Sequence, residues 1–259
     1  MRMMKKVLGT VTVLALSVSL LAGCGSTAAS PVSSAASTAA ESTTSSIASE
    51  TTSAAADENE AAAAQLLNDL TGSYQELWPV ILADEYKQTW LDDCTALVGE
   101  DNAEAAFEKL SSMVTGDVYG EDAVKAYANG GGAYFCGFTN SLATLTFDGE
   151  TSTISGTDKD GNVLFSHTYH YIGMEPVRGL YEFESDDADS GEFTYFFLAP
   201  DTSAETYHIE FRYGSDAEAL SQYDAGEYAY WLASGISTDC DQTMIDNCIE
   251  LFCTENLAG

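Results

Sequence analysis

The sequence predicts an α+β domain: an antiparallel meander β-barrel with helices flanking it. Three observations carry this. Residues 60–113 place apolar side chains at helical spacing. After Tyr127 the period falls to two, with apolar and polar residues alternating along successive runs. Asp148-Gly149 and Asp160-Gly161 separate such runs, and Asp-Gly between alternating segments is the strongest short-range hairpin signal. Six or more sequential antiparallel strands around one core point to an up-and-down barrel or a strongly curled sheet.

The elements follow in chain order. Residues 1–23 read as a lipoprotein signal peptide. Arg2, Lys5 and Lys6 make a basic start, and Val7 to Leu21 is apolar over about 15 residues, short of the ~20 a membrane span needs. Leu21-Ala22-Gly23-Cys24 resembles the bacterial lipobox, which would place a diacylglycerol on Cys24. Residues 24–57 are almost wholly Ser, Thr and Ala, a composition that buries no core and is expected to form a disordered tether. Residues 58–259 are left for one domain, ample for a sizeable core.

That domain opens with a helix over Glu60–Leu70, whose apolar face is Leu66, Leu67 and Leu70, broken by Thr71-Gly72. A second helical stretch is expected from Ser73, with Pro79 marking a kink or its true start. Further helices are expected over Glu85–Leu97 and Asn102–Met113, then a glycine loop at Asn129–Gly132. Strands follow at Ala143–Phe147, Thr151–Gly156, Val163–Ile172, Leu180–Glu184, Gly191–Ala199 and Thr206–Tyr213. Ala217–Tyr223 and Gln242–Phe252 return to helical spacing.

The chain carries 41 acidic and nine basic residues, a net charge of −32, and removing the leader takes away three of the basic ones. A nucleic-acid partner needs a basic surface and is excluded on this ground. So much negative charge concentrates divalent cations diffusely, but that is not a site. Cys94, Cys136, Cys240, Cys248 and Cys253 form no CxxC motif, which removes the zinc-ribbon and thioredoxin patterns. An oxidising compartment would allow up to two disulfides among these five, with the pairing open.

The residues with most to say are Phe193-Thr194-Tyr195-Phe196-Phe197-Leu198-Ala199-Pro200 and His208-Ile209-Glu210-Phe211-Arg212-Tyr213-Gly214. They resemble a block of the ZinT (YodA) family, zinc- and cadmium-binding lipocalin-like proteins of the bacterial envelope. That block runs roughly F-x-D-H-x-I-A-P, a short loop, then H-F-H-x-F-x-G. Leu67–Leu82, Val177–Phe183 and Ala217–Trp231 resemble other segments of the same family, so the similarity spans residues 66–255. The resemblance implies a calycin-type barrel and a metal site built from three histidines on two strands. Carried over, the first of these falls on Phe196, which has no donor, the second on His208, and the third on Glu210. The family's histidine-rich loop has no counterpart here.

His208 and Glu210 are two apart on a strand, so they share a face, as a common ligand set requires. Zinc accepts imidazole nitrogen and carboxylate oxygen, but a specific site normally takes three or four donors. Two readings of the pair stay open: a metal site with an altered ligand set, Glu182 or Glu192 being candidates for a third donor, or a polar pair holding no metal. His167 and His170, three apart, should face opposite ways and are expected to be hydrogen-bonded or surface residues. Asp158–Asn162 reads as a turn rather than a calcium loop, and the acidic run Glu182–Asp189 as a solvated loop. No nucleophile elbow, phosphate loop or HExxH motif is present, and no enzymatic activity is expected.

The sequence and the resemblance together lead to an extracytoplasmic lipoprotein. It would be anchored by lipid alone to the outer face of the cytoplasmic membrane, on a Gram-positive surface. It would bind a divalent metal, zinc first, at His208 and Glu210, for envelope capture or delivery to the binding protein of a metal importer. The alternative is a calycin-like module that has lost the metal and binds a small molecule or a protein partner.

Overall fold

The computed structural model describes residues 58–200 and 208–258. The expected signal peptide, Cys24 and the expected tether lie outside the described residues. Helix α1 (58–69) leads into strand β1 (Gly72–Glu76), then α2 (Leu77–Ile81), α3 (Lys87–Val98), α4 (Glu100–Val114) and α5 (Glu121–Ala128). Six strands follow: β2 (Thr144–Asp148), β3 (Thr153–Thr157), β4 (Val163–Met174), β5 (Tyr181–Ser185), β6 (Tyr195–Leu198) and β7 (His208–Gly214). The chain ends with α6 (Ala217–Leu220), β8 (Ala233–Ser237) and α7 (Gln242–Leu257).

The strands pair antiparallel in sequence order and close, β1 to β8, into an eight-stranded barrel. The fold class is the one the sequence predicts, reached with two strands that its patterning does not show. Residues 73–76 are strand rather than helix: Tyr74 pairs with Leu145 on one side and Ser237 on the other, so β1 is the stave that closes the wall. Helix starts only at Leu77, which leaves Pro79 in the first turn, where its missing N–H costs nothing. Among the described residues no helix is long and apolar enough to cross a membrane.

An eight-stranded barrel has an interior that side chains just fill. Here the fill is aromatic: Phe147, Phe165, Phe183, Phe196, Phe211 and Tyr213 are all buried in one cluster. Gly156 faces Phe165 across the β3–β4 ladder, and a Cβ on it would stand 2.4 Å from both Phe165 Cε1 and Leu142 Cδ1. Only a residue without a side chain leaves that ring its place. Helix α1 belongs to the same core through Leu66 and Leu67, followed by Leu70 in the turn after it, with Asn68 against the β2–β3 turn at Gly149.

A second core lies outside the wall. Trp78 and Ile81 of α2, Trp90 and Cys94 of α3, Leu110 of α4 and Ile249 of α7 cluster with Ile236, which is on the outer face of β8. The Trp90 indole N–H donates to the Ile81 carbonyl at 2.7 Å, so that buried ring has its polar atom satisfied. Asp241 caps α7 by accepting from the Met244 N–H at 3.0 Å. Strands β7 and β8 are therefore covered on both faces, by the aromatic fill within and by helices and loops without.

Candidate metal centre

Strand β7 alternates, and its register decides which residues look where. Phe196 stands opposite Tyr213 and Leu198 opposite Phe211, and cross-strand partners point to the same side. Phe196, Phe211 and Tyr213 therefore face the lumen, and Ile209 with them. His208 and Glu210 are the intervening residues, opposite Ile236 and Ser234 of β8, and face the helical layer outside. Both are half-buried.

The three positions carried over from the ZinT family thus lie on two faces of one wall. Phe196 is completely buried, with its ring 5.4 Å from those of Tyr213 and Tyr169 and 5.9 Å from that of Phe165. It neither offers a donor nor leaves room for an ion. As a set, these residues do not fit a zinc ion held in the lumen. His208 and Glu210 share a face, and it is the outer one.

That outer face holds other donors that sequence spacing did not reveal. Cys136, in the segment leading to β2, and Cys248 of α7 are buried close enough to feel the Glu210 carboxylate. Burial, with Glu210 adding to it, pushes each thiol up to about 12. Their place beside Glu210 follows from tertiary packing, which no spacing in the sequence shows. Among the described residues, no three His, Cys, Asp or Glu side chains are placed to hold one metal ion together.

The other candidate donors are kept apart. Glu182 of β5 pairs with Phe197, which pairs with Arg212, so it shares the outer face with β7 from two strands away, roughly 10 Å at the usual strand spacing. Burial raises its pKa, with the Glu175 carboxylate adding to the shift. Glu192 sits near the other end of β7, accepting from Ser215 Oγ and the Tyr228 hydroxyl at 3.4 Å each. His167 stacks on Phe165 at the lumen side, and its Nδ1 lies 2.7 Å from Asp187. His170 is exposed on the other face, its Nδ1 2.7 Å from Asp186. The acidic loop is thus tied back to β4 by two histidine–carboxylate pairs. Asp158 makes the expected turn, accepting from the Asp160 and Asn162 N–H groups at 2.9 Å.

One polar cluster is invisible in the sequence. Arg212, fully buried on the outer face, donates through Nη1 to the Leu220 carbonyl and through Nη2 to the Tyr228 carbonyl, both nitrogens also reaching the Gln222 carbonyl at 3.3 Å. Tyr223 meets two guanidiniums, with Arg212 Cζ and Arg178 Cζ each 4.4 Å from its ring centroid. Glu175, also buried, accepts from the Val177 and Arg178 N–H groups at 2.7 and 2.6 Å and from the Tyr223 hydroxyl at 3.4 Å. Burial lowers the Arg212 pKa to about 10, which still leaves it charged at neutral pH.

No family model and no curated protein matches this chain. Among solved structures it is similar to the Zn(II)-bound ZinT-like domain of Streptococcus pneumoniae AdcA, at 16% identity and a TM-score of 0.45, over 71% of this chain and 89% of that one. It is also similar to Zn(II)-bound AdcA from the same organism, at 14% identity and a TM-score of 0.42, over 72% of this chain and 35% of that one. The chain therefore spans about a third of the second structure. Similarity at this level does not say which side chains hold an ion.

Proposed function

We propose that this protein is an extracytoplasmic lipoprotein, lipid-anchored through Cys24, that binds a divalent metal ion on the outer wall of its barrel. Zinc is the first ion to test, and His208 and Glu210 are the protein donors. The observation that carries the reading is their placement: an imidazole and a carboxylate on one face of β7, half-buried, beside two thiols. The ZinT-like motifs of residues 193–214 support the same ion, and the basic leader with its lipobox supports the address. The role would be metal capture at the envelope or hand-over to an importer's binding protein, without enzymatic turnover. Two protein donors leave the rest of the coordination shell to water, so affinity should be modest and selectivity lower than that of a three-histidine site.

Calorimetric titration of zinc at physiological salt, which screens diffuse attraction to the acidic surface, tests this. One-to-one binding weakened tenfold or more in His208→Ala is expected, a loss of about 1.4 kcal/mol or greater. Multi-site binding that His208→Ala leaves unchanged would refute the assignment.

A second reading has its own observation, the aromatic side chain at Phe196. It makes the barrel a scaffold without its metal, and the filled lumen directs it to a protein partner on the outside rather than a small molecule within. Under that reading zinc leaves the melting temperature unmoved.

A further inference from the structure

Cys94 of α3 and Cys253 of α7 are 159 residues apart in sequence, yet their sulfurs lie 3.9 Å from each other. Both are fully buried in the outer core, at a helix–helix interface also formed by Trp90 and Phe252, whose rings meet edge to face at 5.9 Å. The two sulfurs are thus in contact and need to approach by about 2 Å to reach the ~2.05 Å of a disulfide bond. We propose that Cys94 and Cys253 form a disulfide that staples the C-terminal helix to the helical layer, leaving Cys136, Cys240 and Cys248 as thiols.

The bond requires a two-electron oxidant, and the one that fits is a disulfide, either a low-molecular-weight one or that of a dithiol oxidase. A thiolate of the pair attacks the donor disulfide, forming a mixed disulfide and releasing one donor thiol. The second cysteine then attacks the mixed disulfide and releases the other donor thiol. Two protein thiols are oxidised by two electrons, the donor disulfide is reduced by two, and both protons end on the donor sulfurs. Burial pushes both thiols up in the folded protein, and only a thiolate exchanges. Exchange therefore takes place while α7 is still undocked, during folding, and the finished bond is shielded from reductant by the packing that covers it. The inference leans on the extracytoplasmic reading for the source of oxidant only, and is independent of any metal.

The test supplies its own oxidant and so stands apart from the question of address. The full chain is unfolded with reductant, refolded in a mixed reduced and oxidised glutathione buffer, and treated with N-ethylmaleimide in denaturant. Cleavage after glutamate separates Cys253, in residues 251–255, from Cys248, and puts Cys94 in residues 86–100. Mass spectrometry should find the peptide 86–100 joined to 251–255, with Cys136, Cys240 and Cys248 carrying maleimide. Maleimide on both Cys94 and Cys253, or either one joined to a different cysteine, overturns the proposal. A loop this long also predicts that reduction lowers the melting temperature by roughly 5–15 °C. The Cys94→Ala/Cys253→Ala variant should lose that sensitivity to reductant. Should the variant fail to fold, the peptide map of the unmodified chain still decides.

Discussion

Phe196→His destabilises the protein by about 3 kcal/mol or more and leaves zinc affinity unchanged. The substitution restores the residue that the ZinT-like motif has at this position, so a reading from sequence alone would expect a better site. The structure predicts otherwise. Phe196 is fully buried between Tyr213, Tyr169 and Phe165, and a histidine there forfeits ring contacts and buries two polar nitrogens among hydrocarbon. It also remains on the lumen side, while His208 and Glu210 are on the other. Thermal unfolding should show a melting temperature lower by about 6–12 °C at the scaling usual for a domain of ~200 residues. A tenfold gain in zinc affinity would mean that the three positions converge after all.

Arg212→Met costs about 3–5 kcal/mol, although methionine fills much of the same volume. The loss comes from the acceptors left behind. The Leu220, Gln222 and Tyr228 carbonyls belong to the segment that folds over the outer face of β7, and one guanidinium satisfies all three. Tyr223 would also lose one of the two cations over its ring. Arg212→Lys should recover less than half of the loss, because an ammonium lacks the planar fork that reaches separated carbonyls at once. Urea denaturation measures both variants. A loss below 1 kcal/mol for Arg212→Met would mean that water readily replaces the guanidinium, and that the segment over β7 is held by its apolar side chains alone.

Much of the architecture was legible because its signals are local. Alternation and Asp-Gly turns mark β2, β3 and β4, and the apolar spacing of α3 and α4 marks both helices within a few residues. Strands β1 and β8 lack such signals. β1 reads Gly-Ser-Tyr-Gln-Glu and merges into the apolar helix that follows, while β8 reads Ala-Ser-Gly-Ile-Ser, with Gly235 there to admit the Ile209 side chain. Each is a strand because of partners far away in sequence, and together they close the barrel.

The site divides in the same way. That His208 and Glu210 share a face follows from a period of two. Which face they share does not, because Ile209, Phe211, Arg212 and Tyr213 are all buried and β7 has no solvated side to orient it. The resemblance to a three-histidine set suggested convergence with position 196, and the ladder places that position on the opposite side. Neither the nearness of Cys136 and Cys248 to Glu210 nor the Arg212–Tyr223–Arg178 stack could be read from spacing, since each depends on how the helices and the 217–231 segment dock.

The chain has only three histidines, which makes its imidazole nitrogens the most direct reporters of metal binding. In a long-range proton–nitrogen NMR spectrum recorded during a zinc titration, the His208 ring nitrogens should shift and saturate at one equivalent. Those of His167 and His170, which belong to β4, three strands along the wall from β7, should stay in place. Shifts at His167 or His170 with His208 unmoved would contradict a metal site on the outer wall of β7.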